Sequence, residues 1–440
     1  MTRLLTSLAI VLSVEAVAFA EGNPNDIPIS SFDPENAISA DASVEGHGVK
    51  IGEGVVLHPV LGMETGYVSN VFYTDTAPQG AGILRLLAQV SAASASGARL
   101  TPTSESGDAN TGDDVAFTYR ASLRASYDFM LSGNNDISST GGLGLGVTLR
   151  GIVNPAGKWS FGFSEDFTRL IRAANYETNA NTDRDINSLA LNLLYHPTDS
   201  TLGGWAYYQN TIDVFERSEQ SFADRLQHRI GIHPTWRWLP QTTVFADVQL
   251  GFYSGISGSK KVSSFPLTTV AGINTLLSLK TTFNLQAGYT NGFYSNGPSF
   301  SAPTVDASFG YRYSPLGRVT LTYDWTYQDS VNANYYRDHT IRLLVQQMVR
   351  PFTFDIQPEL HFREYQGVNT LIDGAPPTRN DVIFSLVAGV HYNLRDWAAA
   401  TLDYRFTDVS TGYRYTSGGV TNTNPSYARH EVLLGVRVAL

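Results

Sequence analysis

Cysteine is missing from all 440 residues, so neither a disulfide framework nor thiol chemistry is open to this chain. Charge is sparse, at 16% of residues, and its balance of −10 argues against a nucleic-acid partner. Methionine is scarce too, with four residues, against 23 tyrosines, 22 phenylalanines and 39 glycines. That composition suits strands and turns better than helices. After the N-terminus no stretch approaches the roughly 20 consecutive apolar residues that a membrane-spanning helix needs.

What the chain has instead is a two-residue rhythm. Phe352, Phe354, Ile356, Pro358, Leu360 and Phe362 alternate with Thr353, Asp355, Gln357, Glu359, His361 and Arg363. Successive side chains of a strand point to opposite faces, so one face is apolar and the other charged. The pattern recurs from Val55 to Leu440 in about eighteen segments with no helical period between them. No internal repeat or low-complexity tract marks a second domain.

The N-terminus has its own character. Arg3, the apolar run Leu4–Val14 and the small-x-small triplet Ala18-Phe19-Ala20 predict a cleaved signal peptide over residues 1–20. Residues 21–54 are polar and rich in Asp, Pro, Ser and Gly, which predicts a flexible periplasmic segment. Residues 55–440 are then one all-β domain.

The connections alternate in length. Pro240–Gln241 and Arg350–Pro351 are short, whereas Gln366–Asp381 and Ser410–Ser426 are long. Short turns at one end and long loops at the other predict an up-and-down antiparallel transmembrane β-barrel of about 18 strands. An even count puts both termini in the periplasm. Residues 93–113 break the rule, being long where a short turn is due.

Alternation alone does not say which face is wet, because a soluble barrel is apolar inside and a membrane barrel is apolar outside. A barrel of about eighteen strands is too wide for side chains to fill, so its interior holds water. Charges also avoid the apolar stripes, with Glu165 and Arg169 as exceptions that a bulge or an interfacial position would explain. The predicted lumen lining therefore includes Arg120, Arg124, Arg150, Arg229, Asp247, Arg312, Asp324, Asp355, Glu359, Arg363, Asp403, Arg405, Arg429, Glu431 and Arg437. Two readings of these charges stand side by side. They form a slightly cationic, selective pore lining, or neighbouring strands pair them and merely solvate the wall.

Five of the six tryptophans, Trp159, Trp205, Trp236, Trp238 and Trp397, fall beside short turns. That level predicts an aromatic belt at the periplasmic membrane interface rather than ordinary core positions. Enzyme motifs do not emerge: there is no His-Glu-x-x-His and no Gly-x-Ser-x-Gly. His228 and His233 lie on opposite faces of one strand, and same-face pairs such as Glu359 with His361 arise readily on a polar wall. The chain is expected to be a non-enzyme without cofactor or metal.

The stretch Val55–Leu86 reads VVLHPVLGMETGYVSNVFYTDTAPQGAGILRL. Its Pro-x-Leu strand, with Pro59, is followed by Tyr67-x-Ser-Asn70-Val-Phe72 and a returning apolar strand. This opening resembles the β-barrel porin 2-type outer-membrane proteins. Within that group, length and strand number are similar to the barrels of polysaccharide secretion. The resemblance implies a bacterial outer-membrane channel that exports a polysaccharide together with a periplasmic polysaccharide-export protein, seated in outer-membrane lipid. Two alternatives stay open: a diffusion porin for small solutes or oligosaccharides, and a structural or adhesive barrel with a plugged lumen.

Overall fold

A computed structural model describes residues 48–51, 55–94, 116–171, 183–197, 200–256, 258–368, 377–417 and 420–440. The expected signal peptide, most of the 21–54 segment and nearly all of 93–113 lie outside the described residues.

The first strands are β1 (Val49–Ile51), β2 (Val55–Val68), β3 (Ala81–Ser94), β4 (Phe117–Leu131), β5 (Gly142–Val153), β6 (Trp159–Leu170) and β7 (Arg184–Tyr195). They continue with β8 (Leu202–Phe215), β9 (Arg225–Leu239), β10 (Thr242–Gly255), β11 (Leu267–Ser278), β12 (Thr281–Asn291), β13 (Ser301–Ser314) and β14 (Gly317–Asp329). The last are β15 (Tyr335–Val349), β16 (Phe352–Gln366), β17 (Thr378–Arg395), β18 (Ala398–Thr411), β19 (Tyr415–Ser417), β20 (Val420–Thr423) and β21 (Tyr427–Ala439). Strands β19 and β20 form a hairpin of their own.

All the others belong to one 19-stranded sheet. Each strand from β2 to β18 pairs antiparallel with its chain neighbours, β21 follows β18, and β21 pairs with β2. Leaving out the short strand β1, eighteen strands close into an up-and-down barrel. Closure satisfies every edge, which an open sheet cannot do. β1 fills the one gap: β21 stops opposite Val60, and below it Val49, Lys50 and Ile51 pair with Leu57, Val56 and Val55.

The barrel is apolar outside. Leu61 and Met63 on β2, Leu123 on β4, Ile230 and Ile232 on β9, and Leu434 and Val436 on β21 are all exposed. Their alternates Glu64, Ser122, Arg229 and Arg437 are buried on the inner side. A monomeric soluble protein does not expose so continuous an apolar surface. The polarity is that of a barrel whose outer solvent is lipid.

Polar groups on this outer face are satisfied locally, as a low-dielectric solvent demands. The outward histidines His228, His339 and His430 each bond a tyrosine on the adjacent strand, Tyr208, Tyr323 and Tyr404, at 2.9 Å. The three pairs share one register, with each histidine opposite the residue two beyond its tyrosine. Arg169, at the long-loop end of β6, is held by Asp185 at 2.8 Å and Glu216 at 2.9 Å. β6 runs in unbroken register with both neighbours, so the expected bulge is absent and Glu165 and Arg169 point outward by plain alternation.

Candidate functional site in the barrel interior

Alternation delivers the inner wall, and the register decides which charges meet. Glu64 on β2 lies opposite Arg85 on β3, which lies opposite Asp128 on β4. Arg85 Nε donates to Asp128 Oδ1 at 2.7 Å, and Arg437 Nη2 on β21 donates to Glu64 Oε1 at 2.8 Å. This network straddles the seam where the barrel closes. It needs room there: a Cβ on Gly435, opposite Glu64, would sit 2.8 Å from Glu64 Cγ.

A second network runs across β15 and β16. Arg363 Nε donates to Asp338 Oδ2 at 3.0 Å, and Arg342 Nε to Glu359 Oε2 at 2.8 Å. His361 stands between the two carboxylates, 3.0 Å from Asp338 and 2.7 Å from Glu359. On β21, Arg429 reaches Glu431 at 3.2 Å and stacks over the Tyr73 ring at 4.6 Å. Asp247 takes hydrogen bonds from Tyr207 and His233, each at 3.1 Å. His391 lies between Asp355 and Asp403, with Nε2 3.9 Å and 3.6 Å away.

Of the residues expected on the inner wall, Arg229, Asp247, Glu359, Arg363, Arg429, Glu431 and Arg437 are buried there. Arg120, Arg124, Asp324, Asp355, Asp403 and Arg405 share that face half-buried, and Arg150 and Arg312 are exposed on it. Two like-charged pairs stand out. Arg120 lies directly opposite Arg150, with Arg124 further along the same face of β4. Asp306 lies directly opposite Asp324. Like charges at facing positions destabilise a sheet, so each pair marks a local excess of one sign. In the strand order the two pairs are half a circuit apart.

The tryptophans divide. Trp159, Trp236, Trp238 and Trp397 are outward and exposed beside short turns. Trp205 is not with them. It shares its face of β8 with Tyr207, Thr211 and Asp213, is 9% exposed, and stacks on the His233 ring at 3.8 Å. Its place near a turn suggested the belt, but its parity with Asp213 puts it inside.

The most built feature of the interior is at the long-loop end. Arg225, at the head of β9, donates to Asp213 Oδ2 at 2.8 Å and to Asp329 Oδ2 at 3.1 Å. Asp329 ends β14, four strands further round the barrel. Lys261, from the β10–β11 loop, joins Asp329 at 3.2 Å, donates to Ala333 O at 3.1 Å and also bonds Ser330 O. Phe215, Ala223 and Val331 pack together above, so the β8–β9 and β14–β15 connections meet. This clasp draws the two strands together over the wall between them.

Beneath the clasp lies a chamber of about 830 Å3, its open mouth included. Gln227, Gln249, Thr326 and Gln328 line it from the strands, and Tyr294 and Phe300 enter from the β12–β13 loop. Burial, and then the neighbouring Asp329, push the Tyr294 phenol well above its ordinary value, so it is a neutral hydroxyl donor. The clasp escaped the sequence reading because its residues sit at loop edges, where alternation carries no signal. The chamber's amides and hydroxyls were visible as inward positions, but not as neighbours.

The chain matches no family model and no curated protein. Among solved structures it is similar to OccK2 (OpdF) of Pseudomonas aeruginosa in complex with glucuronate, at 10% identity and TM-score 0.45, over 87% of this chain and 98% of that one. It is similar to OpdK of the same organism with vanillate, at 7% identity and TM-score 0.46, over 87% and 99%. It is also similar to the siderophore receptor PirA of Acinetobacter baumannii, at 9% identity and TM-score 0.42, over 89% and 81%. None of these carries the expected likeness to polysaccharide-secretion barrels, and likeness at this level assigns no cargo.

Proposed function

We propose that this protein is a bacterial outer-membrane channel through which small polar solutes diffuse. The carrying observation is the Arg225–Asp329–Lys261 clasp. It ties opposite edges of a five-step arc of wall together at the long-loop mouth, and the loops above it pack inward. A polymer exporter needs a bore that stays wide along its length, whereas a narrowed, polar mouth suits solutes of a few ångströms. This favours the diffusion channel over polysaccharide export, for which no further support is at hand.

In this reading the long loops face the outside and the short turns the periplasm, with both ends of the barrel domain on the periplasmic side. Trp159, Trp236, Trp238 and Trp397 then mark the periplasmic lipid interface, where amphipathic rings are favoured. The inward charges line a hydrated path, most of them neutralised by a neighbour on the wall. Planar-bilayer recording tests the reading together with liposome swelling in solutes of graded size. The expected result is steady conductance and a sharp fall in permeation above disaccharide size. A barrel that inserts but carries no current, or that passes long dextrins as readily as monosaccharides, would overturn it.

A further inference from the structure

The chamber under the clasp contains an unanswered hydrogen-bond acceptor. Gln227 is 2% exposed, and its Oε1 accepts no hydrogen bond. A buried carbonyl left without a donor is costly, and native proteins rarely keep one unless something else fills the place. Gln227 belongs to the lining, so a molecule held in the chamber is within its reach.

The chemistry of the lining says what kind of molecule. Its charges are already committed: Arg229 Nε donates to Tyr253 Oη at 2.7 Å, and Asp329 is shared by Arg225 and Lys261. Amides and hydroxyls remain, which both donate and accept. Gln249 and Thr326 offer such groups from the wall. Tyr294 and Phe300, edge to face at 6.1 Å, add aromatic surface. Neutral donors and acceptors around an aromatic corner match a molecule that carries many hydroxyls on a compact carbon ring. A volume of about 830 Å3 lies within the usual range for small-molecule sites.

We propose that this chamber is a binding subsite for a neutral polyhydroxylated solute of hexose size, with Gln227 Oε1 accepting one of its hydroxyls. The proposal rests on the channel reading for its purpose, but its test does not. Binding of D-glucose to the folded barrel in detergent is measured by saturation-transfer NMR, with gluconate as the anionic counterpart. Wild type binds glucose saturably and gluconate more weakly. Gln227→Met and the near-isosteric Thr326→Val each weaken glucose binding by about tenfold, the worth of one hydrogen bond, while barrel formation on gels is unchanged. No saturable glucose binding, tighter binding of gluconate, or unaltered binding in both variants overturns the proposal. Conductance is recorded on the same preparations. A barrel that binds glucose without carrying current leaves the subsite standing and sinks the channel reading instead.

Discussion

Arg225 and Asp329 meet at 3.1 Å although four strands of the barrel wall separate them. Pairing alone would not bring the ends of β9 and β14 together, so the contact reports a fold in the wall. It is buried, and Asp329 also holds Lys261 at 3.2 Å. Asp329→Asn removes the shared anion while Arg225 keeps Asp213. The loss expected in denaturant titration is about 1–3 kcal/mol. The larger effect is on the mouth: single-channel conductance rises and grows noisier. A current indistinguishable from wild type would mean that the clasp does not shape the path.

Glu64 bridges β3 and β21 across the seam of closure, bonded to Arg85 at 3.4 Å and to Arg437 at 2.8 Å. Removing one partner of a buried ionic network leaves uncompensated charge, at a cost of about 3–5 kcal/mol. Glu64→Ala therefore lowers the urea midpoint of the folded barrel by that amount. Glu165→Ala, which alters an outward carboxylate away from the seam, does not. The heat-shifted band on a semi-native gel reads both.

Lipid contact separates the tryptophans. Variants that retain a single tryptophan are placed in vesicles with lipids brominated near the headgroup. Trp236 and Trp238 are quenched strongly, and Trp205 is not, because it lies on the inner face against His233. Equal quenching of Trp205 would contradict its inward placement.

Selectivity depends on the local excess of positive charge around Arg120, Arg124 and Arg150. Replacing all three with glutamine lowers the permeability of chloride relative to potassium severalfold, as the wall loses its cationic focus. Reversal potentials in a salt gradient measure the change. The contrast between wild type and variant shrinks as ionic strength rises.

Much of this barrel was legible in the residues. The alternation of Phe352–Arg363 is the strand β16, and each of the other barrel strands overlaps a segment read the same way. The β11–β12 turn is instructive. It was expected at Leu276–Ser278 and lies at Leu279–Lys280, because a register shift between Leu276 and Ser278 breaks the two-residue period just where leucines crowd. β1 is too short for a period to show. Trp205 was misplaced because closeness to a turn outweighed its parity with Asp213. The clasp was beyond reach for a different reason: Arg225, Lys261 and Asp329 come together only once the loops have chosen their course.

The facing arginines of β4 and β5 and the facing aspartates of β13 and β14 stand half a circuit apart on the same wall. A solute on its way through would feel a torque as well as an attraction. A molecule with a negative and a positive end would be turned crosswise to its path, its negative end toward the arginines. Such a passage would sort solutes by where their charges sit as well as by size, so that two isomers of equal bulk and net charge would cross at different rates.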